Sequence, residues 1–137
     1  MIEGNVVSNL AALAGTAYFT DQQNHDISVV ATQSITGVGF QPTGIIINAV
    51  VGSPAQGQAS WGFTHDGGSG GRNIQDKDRE NPNTYTHNNT QIIVMVTGAS
   101  TAGFASILSY DVDGFTLNWT KVNSPTGNCE FKYFCFK

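Results

Sequence analysis

The feature that most constrains the fold of this chain is Asp113-Gly114 followed by Phe-Thr-Leu-Asn-Trp-Thr over residues 115–120. In a strand, Phe115, Leu117 and Trp119 point to one face and Thr116, Asn118 and Thr120 to the other, the period of two expected when one side covers a core. Asp-Gly is a strong hairpin signal, because glycine tolerates positive φ and aspartate caps its own turn. Residues 104–111 and 114–121 are therefore expected to pair antiparallel. The stretch from Phe104 to Lys137 reads as β-sheet without a catalytic centre.

Strand signals recur upstream at Ala17–Thr20, Ile27–Thr32, Gly44–Val51, Ala59–His65 and Gln91–Thr97, and downstream at Cys129–Phe136, separated by Gly, Pro, Asn and Ser. About eight short strands predict an all-β fold, an antiparallel β-sandwich or jelly-roll-like domain over 16–137. Gly44–Val51 and Gln91–Val96 are apolar on both faces. They are expected to be central strands, covered on the second face by an arm or a second subunit. The last strand, with Phe131, Tyr133, Phe134 and Phe136, is aromatic on both faces and is expected to be central or to lie at a subunit interface. Residues 1–15 form a separate N-terminal element. Val6, Leu10 and Leu13 recur at spacings of four and three, so a short helix and an extended arm are both compatible with it. A long polar loop is expected at 66–90, holding seven of the sixteen charged residues; loops of this length in small domains are often functional.

Charged residues are 12% of the chain, against about 25% in ordinary soluble domains. Ser, Thr, Asn and Gln number 44, so the surface must be largely hydroxyl and amide. A net charge of −4 with six scattered Lys and Arg argues against nucleic acid as a partner. The N-terminus has an acid where a signal peptide has basic residues, and its apolar run is short. Synthesis and assembly in a cytoplasm, without a membrane span, are expected. Cys129 and Cys135 lie six residues apart in one strand. A strand of that length spans about 20 Å, beyond disulfide reach, so both read as reduced core thiols unless one bonds another subunit.

The chemistry-bearing patterns are weak. Gly67–Gly71 is not followed by the Lys-Ser or Lys-Thr of a phosphate loop. Asp111 and Asp113 resemble the opening of a calcium loop, but Phe115 and Leu117 occupy further ligand positions, and a turn accounts for both acids. His25, His65 and His87 share no metal-ligand spacing. There is no Gly-X-Ser-X-Gly, and two carboxylates at a hairpin tip are a poor acid–base pair. The expectation is no enzyme, no metal and no cofactor. Trp61 and Trp119 could serve as sugar-stacking platforms, but each stands in register with other apolar residues and is read as core.

Gly37-Val38-Gly39-Phe40-Gln41-Pro42, then Ala59-Ser60-Trp61-Gly62-Phe63, then Asp113-Gly114-Phe115-Thr116-Leu117-Asn118-Trp119-Thr120, and the closing aromatic strand together resemble small virion structural proteins of tailed bacteriophages. The resemblance covers roughly residues 35–137. Its architecture is also similar to that of the H-type lectins, trimeric sugar-binding sandwiches. The resemblance implies a head decoration protein, a homotrimer that binds the major capsid protein and stabilises the capsid at the virion surface. Val6, Leu10 and Leu13 of the arm and Arg72, Lys77 and Arg79 of the polar loop are the expected interface residues. The alternative it implies is a tail or fibre module that binds a glycan.

Overall fold

The computed structural model describes residues 17–52, 58–64, 72–76, 86–88, 90–98 and 100–137. It is an all-β structure of ten strands among these residues: β1 (Tyr18–Asp26), β2 (Ala31–Ile35), β3 (Gly44–Val51), β4 (Gln58–Thr64), β5 (Arg72–Asp76), β6 (Thr86–Asn88), β7 (Ile93–Gly98), β8 (Thr101–Asp111), β9 (Gly114–Val122) and β10 (Asn128–Phe136). They form a six-stranded sheet in the order β1-β10-β3-β4-β5-β6 and a four-stranded sheet in the order β2-β9-β8-β7. Every assigned pairing is antiparallel. The sheets share one core, as a β-sandwich requires.

The expected hairpin forms: Asp111 pairs with Gly114 across the turn, and the ladder continues to Ala102 opposite Val122. Phe115, Leu117 and Trp119 all point inward and are buried. They meet Phe131 and Tyr133 of β10, with Phe115 edge-on to Tyr133 at 5.4 Å and Trp119 tilted against Phe131 at 5.9 Å. Each such ring contributes about 2–3 kcal/mol by leaving water, and edge-to-face pairing adds to that. The Trp119 indole N–H donates to Gln33 Oε1 at 2.9 Å, so its one polar atom is satisfied. The His25 ring stacks on Trp119 at 4.2 Å.

Four boundaries depart from the sequence reading. β1 runs to Asp26, because the polar Asp21–Asp26 stretch pairs with β10 through to Asn128. An edge strand exposed along much of its length needs little apolar patterning. β2 begins at Ala31, since Val29 N–H donates to the Asp26 carbonyl and Ser28 N–H to the Asp26 carboxylate, which makes 26–29 a turn. The segment 66–90, expected as one long polar loop, contains β5 and β6, which extend the larger sheet. Finally, β7 is not central: it is the edge of the smaller sheet. Its residues Ile93, Val94 and Met95 are nevertheless buried, and Val94 N–H donates to Ser60 Oγ of β4 at 3.1 Å. By contrast, β3 and β10 are central, as their sequences suggest. The N-terminal element 1–15 lies outside the described residues.

Candidate functional site

Alternation in β3, β4 and β10 gives the larger sheet an inner face of Ile45, Ile47, Ala49, Val51, Ser60, Thr64, Cys129, Phe131, Tyr133 and Cys135, all buried. The residues between them must then face out. Reading across β1, β10, β3 and β4, one outward row is Thr20, Phe134, Ile46 and Phe63, and the next is Gln22, Lys132, Asn48 and Trp61. A third is Asn24, Glu130, Val50 and Ala59.

The first row, with Tyr18 and Phe136 beside it, is apolar and open. Tyr18 is 65% exposed and stacks on Phe134 at 5.7 Å with the rings 8° from parallel. Phe134 lies 6.2 Å from Phe136. Ile46, Trp61 and Phe63 line an apolar depression with Gly62 at its floor. Single exposed apolar residues are ordinary, whereas a contiguous group of aromatic and aliphatic side chains marks an interaction surface.

The second and third rows differ in chemistry. Gln22, Gln23, Asn24, Asn48, Val50, Glu130, Phe131 and Lys132 line a cleft of about 400 Å³. It joins carboxamides with one acid and one base, and Asn48 stands opposite Trp61 at its edge.

The outer face of the smaller sheet is unlike either. Ser34 and Thr116 hydroxyls lie 3.1 Å apart, and Thr116 and Ser109 both donate to the Asp111 carboxylate, at 2.7 and 2.8 Å. Ser34, Ser109, Thr116 and Asp111 thus satisfy one another.

The two aspartates of the hairpin therefore hold the fold. Asp113 accepts from Gly37 N–H at 3.0 Å and Gly39 N–H at 2.6 Å, and its carbonyl accepts from Val38 N–H at 3.2 Å. Gly37 and Gly39 have φ of 85° and 83°, the left-handed geometry that turns successive amides toward one anion. These amides, Gly39 first, hold the Asp113 carboxyl below its ordinary range. Gln41 of the same motif donates to the Tyr110 carbonyl at 2.7 Å. Two of the motifs that carry the phage resemblance thus clamp one end of the sandwich. Among the described residues there is no group of three or more His, Cys, Asp or Glu placed to hold a metal ion, and no helix is long and apolar enough to cross a membrane.

Cys129 and Cys135 are free and fully buried, and burial pushes both thiols up to about 12. Of the expected interface residues, Arg72 opens β5 opposite Phe63. Val6, Leu10, Leu13, Lys77 and Arg79 lie outside the described residues. Trp119 is core as expected, but Trp61 is not: it is 58% exposed. The reason is Gly62. A Cβ there would sit 1.7 Å from the Ile92 carbonyl oxygen, so β4 turns its small residues Ser60, Gly62 and Thr64 inward against the neighbouring sheet and its aromatics outward. A glycine between two aromatics in mid-strand was the available signal of that close approach.

No family model, curated protein or solved structure matches the chain. The class that fold and site define is an all-β sandwich whose larger sheet has an open outer face, apolar at one end and amide-rich at the other.

Proposed function

We propose that this protein is a structural component of a tailed-phage virion, a head decoration subunit that packs its larger sheet against the major capsid protein. The observation that carries this reading is the open group of apolar side chains Phe134, Ile46 and Phe63 of one row, with Tyr18 stacked on Phe134 from the row beside it. Its complement is a mainly apolar surface on the shell, with Arg72 opposite Phe63 and Lys132 in the adjoining row as the nearest cations in register. Shielding the apolar side chains recovers hydrophobic free energy that the free subunit forgoes. The motif resemblance supplies the phage context. Assembly as a homotrimer would present the row three times on one rigid unit, so modest single contacts would add through effective concentration.

The test is co-sedimentation of the purified protein with empty, undecorated heads of the phage that encodes it. Saturable binding at a fixed ratio to the shell protein is expected, and Ile46→Ser with Phe63→Ser should abolish it while leaving the melting temperature within about 2 °C, since both side chains are already exposed. Binding that survives the double substitution, or no binding by the wild type, would overturn the proposal.

A further inference from the structure

We propose that the open edge of β1 is a self-association surface: residues 18–22 of two copies of this chain pair antiparallel about a two-fold axis at Thr20, joining the larger sheets edge to edge. This contact uses the backbone edge of the sheet, whereas the docking proposed above uses its outer face.

The open groups follow from register. Lys137 N–H donates to the Ala17 carbonyl and Ile27 N–H to the Gly127 carbonyl, both at 3.1 Å. Tyr18 lies opposite Phe136 and the ladder runs without a shift to Asp26 opposite Asn128. The odd-numbered residues of β1 therefore bond β10, and the even-numbered ones aim their N–H and C=O away from the sheet. Part of that outward row is already taken. Gln22 N–H donates to the Asp21 carboxylate at 2.8 Å, the Asn24 carbonyl accepts from Gln33 Nε2 at 3.0 Å, and the Asp26 carbonyl accepts from Val29 N–H at 3.0 Å. The open groups concentrate in Tyr18 and Thr20, whose N–H and C=O have no partner among the described residues, with the Gln22 carbonyl beside them.

Three observations commit that edge to a second copy. First, it is self-complementary. An axis at Thr20 sets Thr20 against Thr20 and Tyr18 against Gln22 of the other copy, the pairs in which each residue can exchange N–H and C=O. The Tyr18 carbonyl of one copy then takes the place of the Asp21 carboxylate at the Gln22 N–H of the other. An axis at Gln22 would instead press each strand against the Asn24 and Asp26 carbonyls, which Gln33 and Val29 already hold. Second, the charge pattern permits it. Asp21 is the one charged residue of 18–22 and would stand opposite Phe19, so like charges do not meet. The segment also lacks the proline, lysine or bulge that blunts an exposed edge. At the edge of the smaller sheet, by contrast, Ser60 Oγ occupies the Val94 N–H. Third, the area suits two preformed edges. Tyr18 is 65% exposed and Thr20 and Gln22 are exposed beside it, yet five residues of edge cover less than the roughly 800 Å² per partner of a standard interface. Two folded copies bring that edge already ordered, whereas a flexible peptide would lose the gain to the ordering of its own backbone. In the pair both outer faces lie on the same side, so the row Phe63, Ile46, Phe134 and Thr20 continues in reverse order through the second copy.

The experiment is sedimentation equilibrium of the whole protein from about 5 to 500 µM, where a small interface associates, with amide hydrogen exchange followed residue by residue at both ends. The mass should double across that range, and the Tyr18 and Thr20 amides should exchange several-fold more slowly at the high end. Thr20→Pro removes the outward N–H at a position where edge strands accept proline, and should hold the mass at its low-concentration value. Thr20→Lys, which sets two cations on the axis without touching the backbone, should do the same. Ile46→Ser with Phe63→Ser should still double in mass, which separates the edge pair from association through the apolar row and leaves head docking to its own test. A constant wild-type mass, doubling unchanged in Thr20→Lys, or Thr20 amide exchange independent of concentration would overturn the edge pair.

Discussion

Asp113 joins segments more than 70 residues apart, because its carboxylate is the shared acceptor for Gly37 and Gly39. A group whose folded pKa is depressed contributes stability that is complete above its unfolded value and fades as pH falls through the folded one. Asp113→Ala should therefore lower stability at pH 7, and the gap between variant and wild type should narrow as pH falls below the ordinary aspartate value of 3.8; urea titrations at neutral and acid pH check this. Asp26, held low by Ser28, acts in the same direction and stays in the variant. Gly62 is the other decisive residue. Gly62→Ala drives a methyl into the Ile92 carbonyl, so thermal unfolding should report a loss of about 2–3 kcal/mol or more. The thiols give a third check. With both pushed up to about 12, neither should react with Ellman's reagent at pH 8 in the folded protein, and both should react in denaturant. At this scale the sequence displayed the clamp as Gly-Val-Gly and Asp-Gly but not their contact, since nothing local ties residue 37 to residue 113. The orientation of Trp61 was hidden for a related reason: alternation shows that two faces differ, and only the neighbouring sheet decides which is inside.

At the scale of elements, legibility followed hydrophobic contrast. β9 could be read directly because Phe115, Leu117 and Trp119 alternate with polar residues and a two-residue turn precedes them. β3 was legible as central from its continuous apolar run. By contrast, β1 was cut short, because Asp21–Asp26 owe their strand geometry to β10 and not to their own propensity. β5 and β6 lay inside a stretch rich in Asp, Asn and Gly for the same reason. β7 misled in the other direction: an apolar run at a sheet edge is covered by β4 and the sandwich interior, with no second strand beyond it among the described residues. The aromatic pack between β9 and β10 joins the two sheets. Trp119→Ala should remove about 3–5 kcal/mol, measured by denaturant titration, and near-ultraviolet dichroism should lose the signal of the Trp119–His25–Phe131 stack.

For the whole molecule, the difference between its two outer faces is what any account of function must explain. On one face Ser34, Ser109, Thr116 and Asp111 bond one another, and the other carries aromatics and amides on adjacent rows. The low charge of the chain fits this division: with six Lys and Arg and ten Asp and Glu, the attachment proposed above would rely on burial and hydrogen bonding more than on steering by charge. The fold class was evident from the sequence. The double-sided apolar pattern of β3 and β10 signalled a second face in need of cover, but the rows across it exist only once β1, β10, β3 and β4 lie side by side. Its proposed role as a docking surface is tested most directly by hydroxyl-radical footprinting of the protein, free and mixed with undecorated heads. The account predicts that Tyr18, Phe63 and Phe134 lose reactivity in the particle while Leu108, exposed on the smaller sheet, stays as reactive as in the free subunit. Protection of Leu108 with Tyr18, Phe63 and Phe134 unchanged would contradict it.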